Sequence, residues 1–116
     1  MTVREFYETI GGDFDDAMGR IFDEELLQQL DRMFLSDTSF PDLTAAFDGQ
    51  DWQAAFNAAH TLKGVAANLS FTRLQKSASD LTEALRKGGP AEDGEDLLAA
   101  VTKDYDETVS ALKELD

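Results

Sequence analysis

The sequence predicts an all-α protein: an antiparallel up-down four-helix bundle, with a short N-terminal helix and a short extra helix near Pro41. Three observations predict it. Apolar residues recur in steps of three and four along most of the chain, the spacing that lines one face of a helix. No segment alternates with period two over a useful length, so no strands are expected. Capping and breaking residues cut the chain into pieces joined by short connections, which favour antiparallel neighbours.

The first piece opens at Thr2, with Glu5 three residues on, the spacing of a capping box. A short helix should follow with Phe6 and Ile10 inward, ended by Gly11-Gly12. Asp13 can cap the next helix, and Asp15 and Asp16 suit the positive end of its dipole. Phe14, Met18, Ile21, Phe22, Leu26, Leu30, Met33 and Phe34 then predict one long amphipathic helix of about twenty residues.

Ser36-Asp37-Thr38-Ser39 reads as a loop, and Pro41 fits the first turn of the extra helix. Leu43, Ala46 and Phe47 form its apolar side and Gly49 stops it. Asp51 can cap a helix whose inward face is Trp52, Ala55, Phe56, Ala59, Leu62, Ala66 and Leu69. Ser70-Phe71-Thr72 reads as a tight corner. Leu74, Ala78, Leu81 and Leu85 line the following helix, and Lys87-Gly88-Gly89-Pro90 stops it. The acidic run from Glu92 to Asp96 reads as a solvated helix start. The last helix, from about Glu95, turns Leu98, Val101, Tyr105, Thr108 or Val109, Leu112 and Leu115 to one side.

A chain of 116 residues, 42% of them hydrophobic, can bury a core, so residues 1–116 are read as one domain. Without cysteine there is no disulfide, thiolate metal site or thiol nucleophile. The apolar runs are too short to span a bilayer, and the N-terminus lacks the apolar core of a signal peptide, so a soluble cytoplasmic protein is expected; a monomer is a separate expectation. A formal charge of -14 opposes binding to nucleic acid and to anionic membranes. That charge is uneven: residues 52–90 hold five basic and two acidic side chains, whereas the rest of the chain is strongly acidic. The local excess suits an acidic partner or a phosphoryl group.

The chemistry centres on His60, the one histidine of the chain. On a helix His60, Lys63, Gly64 and Ala67 form one stripe beside the apolar face, which leaves the imidazole partly exposed. A neutral imidazole is a good nucleophile near pH 7. Attack on phosphorus gives a labile N–P bond, so transfer can be reversed. Lys63 can place an ammonium near the phosphoryl oxygens, while Gly64 and Ala67 keep the next turns low. Gly64 costs its helix about 1 kcal/mol relative to alanine; since the wheel points it outward, access for a partner is a better reason for it than packing.

Other chemistries fail on residue types. A carboxylate-bridged di-metal bundle needs Glu-x-x-His on two helices, whereas Asn57 stands three residues before His60. One histidine is too few for a zinc site. No phosphate-binding or dinucleotide glycine pattern is present, so no kinase or ATPase activity of its own is expected.

The run Ala59-His60-Thr61-Leu62-Lys63-Gly64, followed by Ala66, Asn68 and Leu69, resembles the histidine-containing phosphotransfer (HPt) domains of bacterial multistep phosphorelays. The resemblance extends more loosely over the aspartate-capped start at Asp51, Leu74 and Leu81 of the next helix, and its basic end at Arg86-Lys87-Gly88. It implies a four-helix bundle whose exposed histidine accepts a phosphoryl group from one receiver-domain aspartate and passes it to another. His60 then matches the phosphorylated residue, Lys63 the phosphoryl-neighbouring lysine and Gly64 the access glycine. The implied partners are response-regulator receiver domains and a hybrid sensor kinase. Mg²⁺ is expected in the receiver, with no metal or cofactor in this chain.

The chain departs from the family at two points. Many members have glycine where Ser70 stands, and a glutamine or glutamate on the next helix often supports the imidazole. The best counterpart here is Thr82, with Gln75 further off, so the group that orients His60 stays open. The chain reads as a stand-alone carrier with no kinase or phosphatase activity. The alternative is a receiver- or kinase-binding helical module that does not itself carry phosphate.

Overall fold

In the computed structural model, residues 1–89 and 93–116 are described. Pro90 and Glu92, read above as part of a stop signal and of a helix start, lie outside them. The described residues are all-helical, without strands. The helices are α1 (Val3–Ile10), α2 (Phe14–Ile21), α3 (Glu24–Met33), α4 (Ser39–Asp48), α5 (Trp52–Asn68), α6 (Thr72–Leu85) and α7 (Gly94–Leu112), with a 3-10 turn at Phe34–Ser36.

The N-terminal capping box forms as expected. The Thr2 hydroxyl accepts from the Glu5 N–H and the Glu5 carboxylate accepts from the Thr2 N–H, each at 3.1 Å. Gly11 closes α1 in the left-handed region, at φ +69°. Gly12 is needed for a different reason. A Cβ there would lie 2.7 Å from Cδ1 of Tyr7 and 2.9 Å from the Ser70 carbonyl oxygen, so only a bare backbone passes between α1 and the corner after α5.

The long helix expected from Asp13 to Phe34 is instead two helices. Asp13 caps α2, accepting the Asp16 N–H at 2.9 Å. The chain then turns at Phe22, which is left-handed at φ +63°. Asp23 restarts it as α3 by accepting the N–H groups of Glu25 (2.9 Å) and Leu26 (3.2 Å). The apolar period runs straight through this break, which is why spacing alone hides it. The turn re-aims the second half. Phe22, Leu26 and Met33, expected inward, are exposed, and α2 and α3 instead bury Ala17, Leu27 and Asp31. Phe34 is buried as expected.

Phe22→Gly should raise stability by about 1 kcal/mol, since glycine enters the left-handed region without strain and an exposed ring is lost. A thermal melt should show Tm rising by about 2–6 °C; an unchanged or lower Tm contradicts that reading of the turn.

α5 packs most extensively against α6 and α4, and α6 against α7. Its buried residues are Ala55, Ala58, Ala59, Leu62 and Ala66, mostly small, so its neighbours approach closely. Ala58 was not among the expected inward positions; Trp52, Phe56 and Leu69 were, and they are half-buried. Leu74, Ala78, Leu81 and Leu85 of α6 are buried as the spacing requires, as are Val101 and Leu112 of α7. Phe71 anchors an aromatic cluster, with ring centroids 5.4 Å from Phe34, 5.6 Å from Phe6 and 5.8 Å from Tyr7. Arg32 donates to the carbonyls of Leu115 (3.0 Å) and Asp116 (2.7 Å), tying α3 to the chain end beyond α7.

Candidate functional site

α5 presents the stripe that its sequence encodes. Asp51 starts the helix, accepting the Ala54 N–H at 3.1 Å. Along one edge His60 and Gly64 are exposed, and Lys63 and Ala67 are half-buried. Inside the same helix Ala59, Leu62 and Ala66 are fully buried, so the stripe sits on a rigid base. A Cβ on Gly64 would meet nothing within 4 Å. Among the described residues the glycine therefore serves no packing; it leaves open space beside the imidazole.

The His60 ring lies against Phe56, one turn earlier, with centroids 6.0 Å apart and planes 5° from parallel. The Arg86 guanidinium sits over the other partner of that stack, 5.4 Å from the Phe56 centroid. Arg86 also pairs with Glu83, at 2.8 Å between Nη2 and Oε1. The Arg86 hydrogen bond, then its charge and that of Lys63, hold the Glu83 carboxyl below the usual carboxylate range. Arg86 thus holds the Glu83 carboxylate while the Lys63 charge acts on it from further off, and these three side chains together carry a net single positive charge. The pair Arg86–Glu83 is exposed, so its own contribution to stability is small.

Thr82 does not orient His60. It is fully buried, and its hydroxyl donates to the Ala78 carbonyl at 2.7 Å, within its own helix. Among the described residues no hydrogen bond reaches the His60 ring from Thr82, Gln75 or any other side chain; the Phe56 face is what the ring rests on.

Ser70 takes the place of the family glycine without losing the turn. It is left-handed at φ +61°. Its hydroxyl donates to Asp16 at 2.7 Å and accepts from Arg20 at 2.6 Å. Arg20 also donates to the Asn68 carbonyl at 2.8 Å, so a cation meets the negative end of α5. These contacts offset the strain of a side chain at positive φ and fix the C-terminal end of the helix that carries the stripe.

Phe56, Glu83 and Arg86 are the site neighbours that the sequence did not assign to it. Phe56 precedes His60 by four residues, so its contact was readable in principle. The approach of Arg86 depends on the register between α5 and α6, which spacing within one helix does not carry.

An exposed imidazole with open space on one side and two cations nearby can accept an anionic electrophile and steady its charge. The Hpt domain family model matches residues 20–114, which leaves α1 and most of α2 outside the match. No curated protein and no solved structure matches the chain.

Proposed function

Because this chain belongs to the Hpt domain family, we propose that His60 accepts a phosphoryl group from a receiver-domain aspartate and passes it to another receiver. In each transfer onto the protein the unprotonated ring nitrogen attacks phosphorus. The N–P bond forms as the O–P bond of the acyl phosphate breaks, and the aspartate leaves as a carboxylate. The other ring nitrogen keeps its proton. Mg²⁺ belongs to the receiver, which supplies the acidic pocket; this chain acts as a carrier, a single cytoplasmic, monomeric domain. A hybrid sensor kinase is the expected head of such a relay. In this reading α4, the helix near Pro41 expected only as an extra, takes the fourth place that the expected long helix from Asp13 to Phe34 leaves empty, so α4 to α7 form the antiparallel up-down bundle, and α5 shows the receiver His60, Lys63, Gly64 and Ala67.

The observation that carries the reading is the open space over Gly64 beside an exposed His60. Its test is to mix the purified protein with radiolabelled, phosphorylated receiver domains and follow the label. Acid-labile, base-stable label on this chain is expected. The proposal fails if several receivers from the same organism leave the chain unlabelled.

A second reading is a module that binds a receiver or kinase without carrying phosphate. One observation favours it: among the described residues no hydrogen bond orients the His60 ring. It expects receiver binding that is unchanged in His60→Gln, and no label in either protein.

Lys63→Ala should slow transfer without stopping it, because the lysine offers charge and is not the nucleophile. Losing one partly exposed charge should cost on the order of 1–3 kcal/mol of transition-state stabilisation. Arg86→Ala should cost less, since Glu83 already engages that guanidinium. Single-turnover transfer rates measure both; an Arg86 variant slower than the Lys63 variant would reverse the assigned roles.

A further inference from the structure

We infer that Asp31 is a neutral carboxylic acid in the native fold, donating to the Tyr7 hydroxyl, which in turn donates to the Leu69 carbonyl, and that its ionisation breaks this chain at the end of α5. The hydrogen count carries the inference. The Tyr7 oxygen lies 2.9 Å from Oδ1 of Asp31 and 2.7 Å from the Leu69 carbonyl oxygen. A phenol has one hydrogen to give. With Asp31 ionised both neighbours are acceptors, and one of the two short contacts sets lone pair against lone pair. With Asp31 protonated at Oδ1 each contact gains its own hydrogen, and the chain runs one way, from Asp31 through Tyr7 to Leu69.

The surroundings agree. Asp31 is fully buried, and its Oδ2 has no hydrogen-bond partner among the described residues. A buried carboxylate is held by several donors or a cation, and here one phenol is all that reaches it. The Tyr7 ring is wrapped by aromatics, edge-on to Phe6 at 5.3 Å and to Phe14 at 5.9 Å. From α1 the titratable group facing Asp31 is Tyr7 itself. From α2 Arg20 acts on the Tyr7 hydroxyl, and from the corner after α5 comes the uncharged Leu69 carbonyl. Burial pushes the Asp31 carboxyl up to about 7, against a weaker pull from the Tyr7 hydrogen bond.

The consequence is a link between protonation and the helix that bears His60. Leu69 follows the last residue of α5. When Asp31 ionises, it captures the Tyr7 hydrogen, and the Leu69 carbonyl loses its donor from α1. The native state holds the Asp31 proton to near neutral pH, whereas the unfolded chain releases it near the ordinary carboxylate value. Between those limits the unfolded state binds fewer protons, so stability falls as pH rises and levels off above the native value.

The test uses the full chain and Asp31→Asn, whose amide donates to Tyr7 at every pH. Chemical denaturation from pH 4.5 to 8.5 gives the folding equilibrium of each. The ratio of wild-type to variant folding constants should fall by about tenfold per pH unit up to near pH 6.5, then become constant. A ratio that does not change with pH overturns the inference. A second measurement holds even if the variant does not fold. The Asp31 side-chain carboxyl ¹³C signal of the native protein should titrate well above the ordinary aspartate range, and a signal already at its ionised limit at pH 5.5 overturns the proposal.

Discussion

His60→Gln is expected to take up no phosphoryl group from any receiver, a loss of at least about a thousandfold, because the glutamine amide is not a nucleophile at neutral pH. The fold should be unaffected. His60 is exposed, buries nothing in the core, and gives up only its stack on Phe56. Glutamine is at least as good a helix former, so stability should stay within about 1 kcal/mol of the parent. Circular dichroism melts and receiver-binding measurements belong beside the transfer assay. Retained fold and retained binding with no transfer separate the loss of chemistry from the loss of docking. Transfer that persists in His60→Gln would place the acceptor elsewhere in the chain.

Gly64→Gln should show opposite signs for stability and transfer. A mid-helix glycine costs roughly 1 kcal/mol relative to better helix formers, and a Cβ here meets nothing within 4 Å, so stability should hold or rise. The glutamine side chain would occupy the open space beside His60. Transfer should therefore fall by on the order of a hundredfold, if docking geometry is held as tightly as displacement of reacting groups usually requires. Gly64→Ala should be as stable or more so, with a smaller loss of rate. Melting temperatures and single-turnover rates on both variants settle the point. Destabilised variants whose folded fraction transfers normally would show that the glycine serves the bundle and not the partner.

The stripe proposed as the site was legible in the sequence because it is written on one helix. His60, Lys63, Gly64 and Ala67 share a stripe by helical geometry alone, and the cap at Asp51 and the buried run through Ala66 fix which side they face. The capping box at Thr2 and the buried face of α6 were legible for the same reason. What escaped depends on how one helix is set against another. Arg86 reaches Phe56 through the pairing of α5 with α6, and no spacing inside either helix encodes that register. Thr82 looked available to the imidazole until its burial and its bond to Ala78 showed the hydroxyl already used. The break at Phe22 escaped because the steps of three and four continue across it, while Asp23, the residue that restarts the helix, reads equally well as a solvated position on a continuous one. Asp31 escaped for the complementary reason. Among the polar residues of α3 it had every mark of a surface residue, and only the turn at Phe22 brings it inward to Tyr7.

The most direct measurement is the phosphorus spectrum of the ¹⁵N-histidine-labelled protein after exposure to a phosphorylated receiver. A new ³¹P resonance coupled to ¹⁵N is predicted, because the chain holds one histidine and an N–P bond on it can only be at His60. The resonance should disappear on addition of a second, unphosphorylated receiver. Phosphorus found on an oxygen, or no protein-bound phosphorus while the receiver still binds, would contradict the assignment of His60 as the phosphoryl carrier.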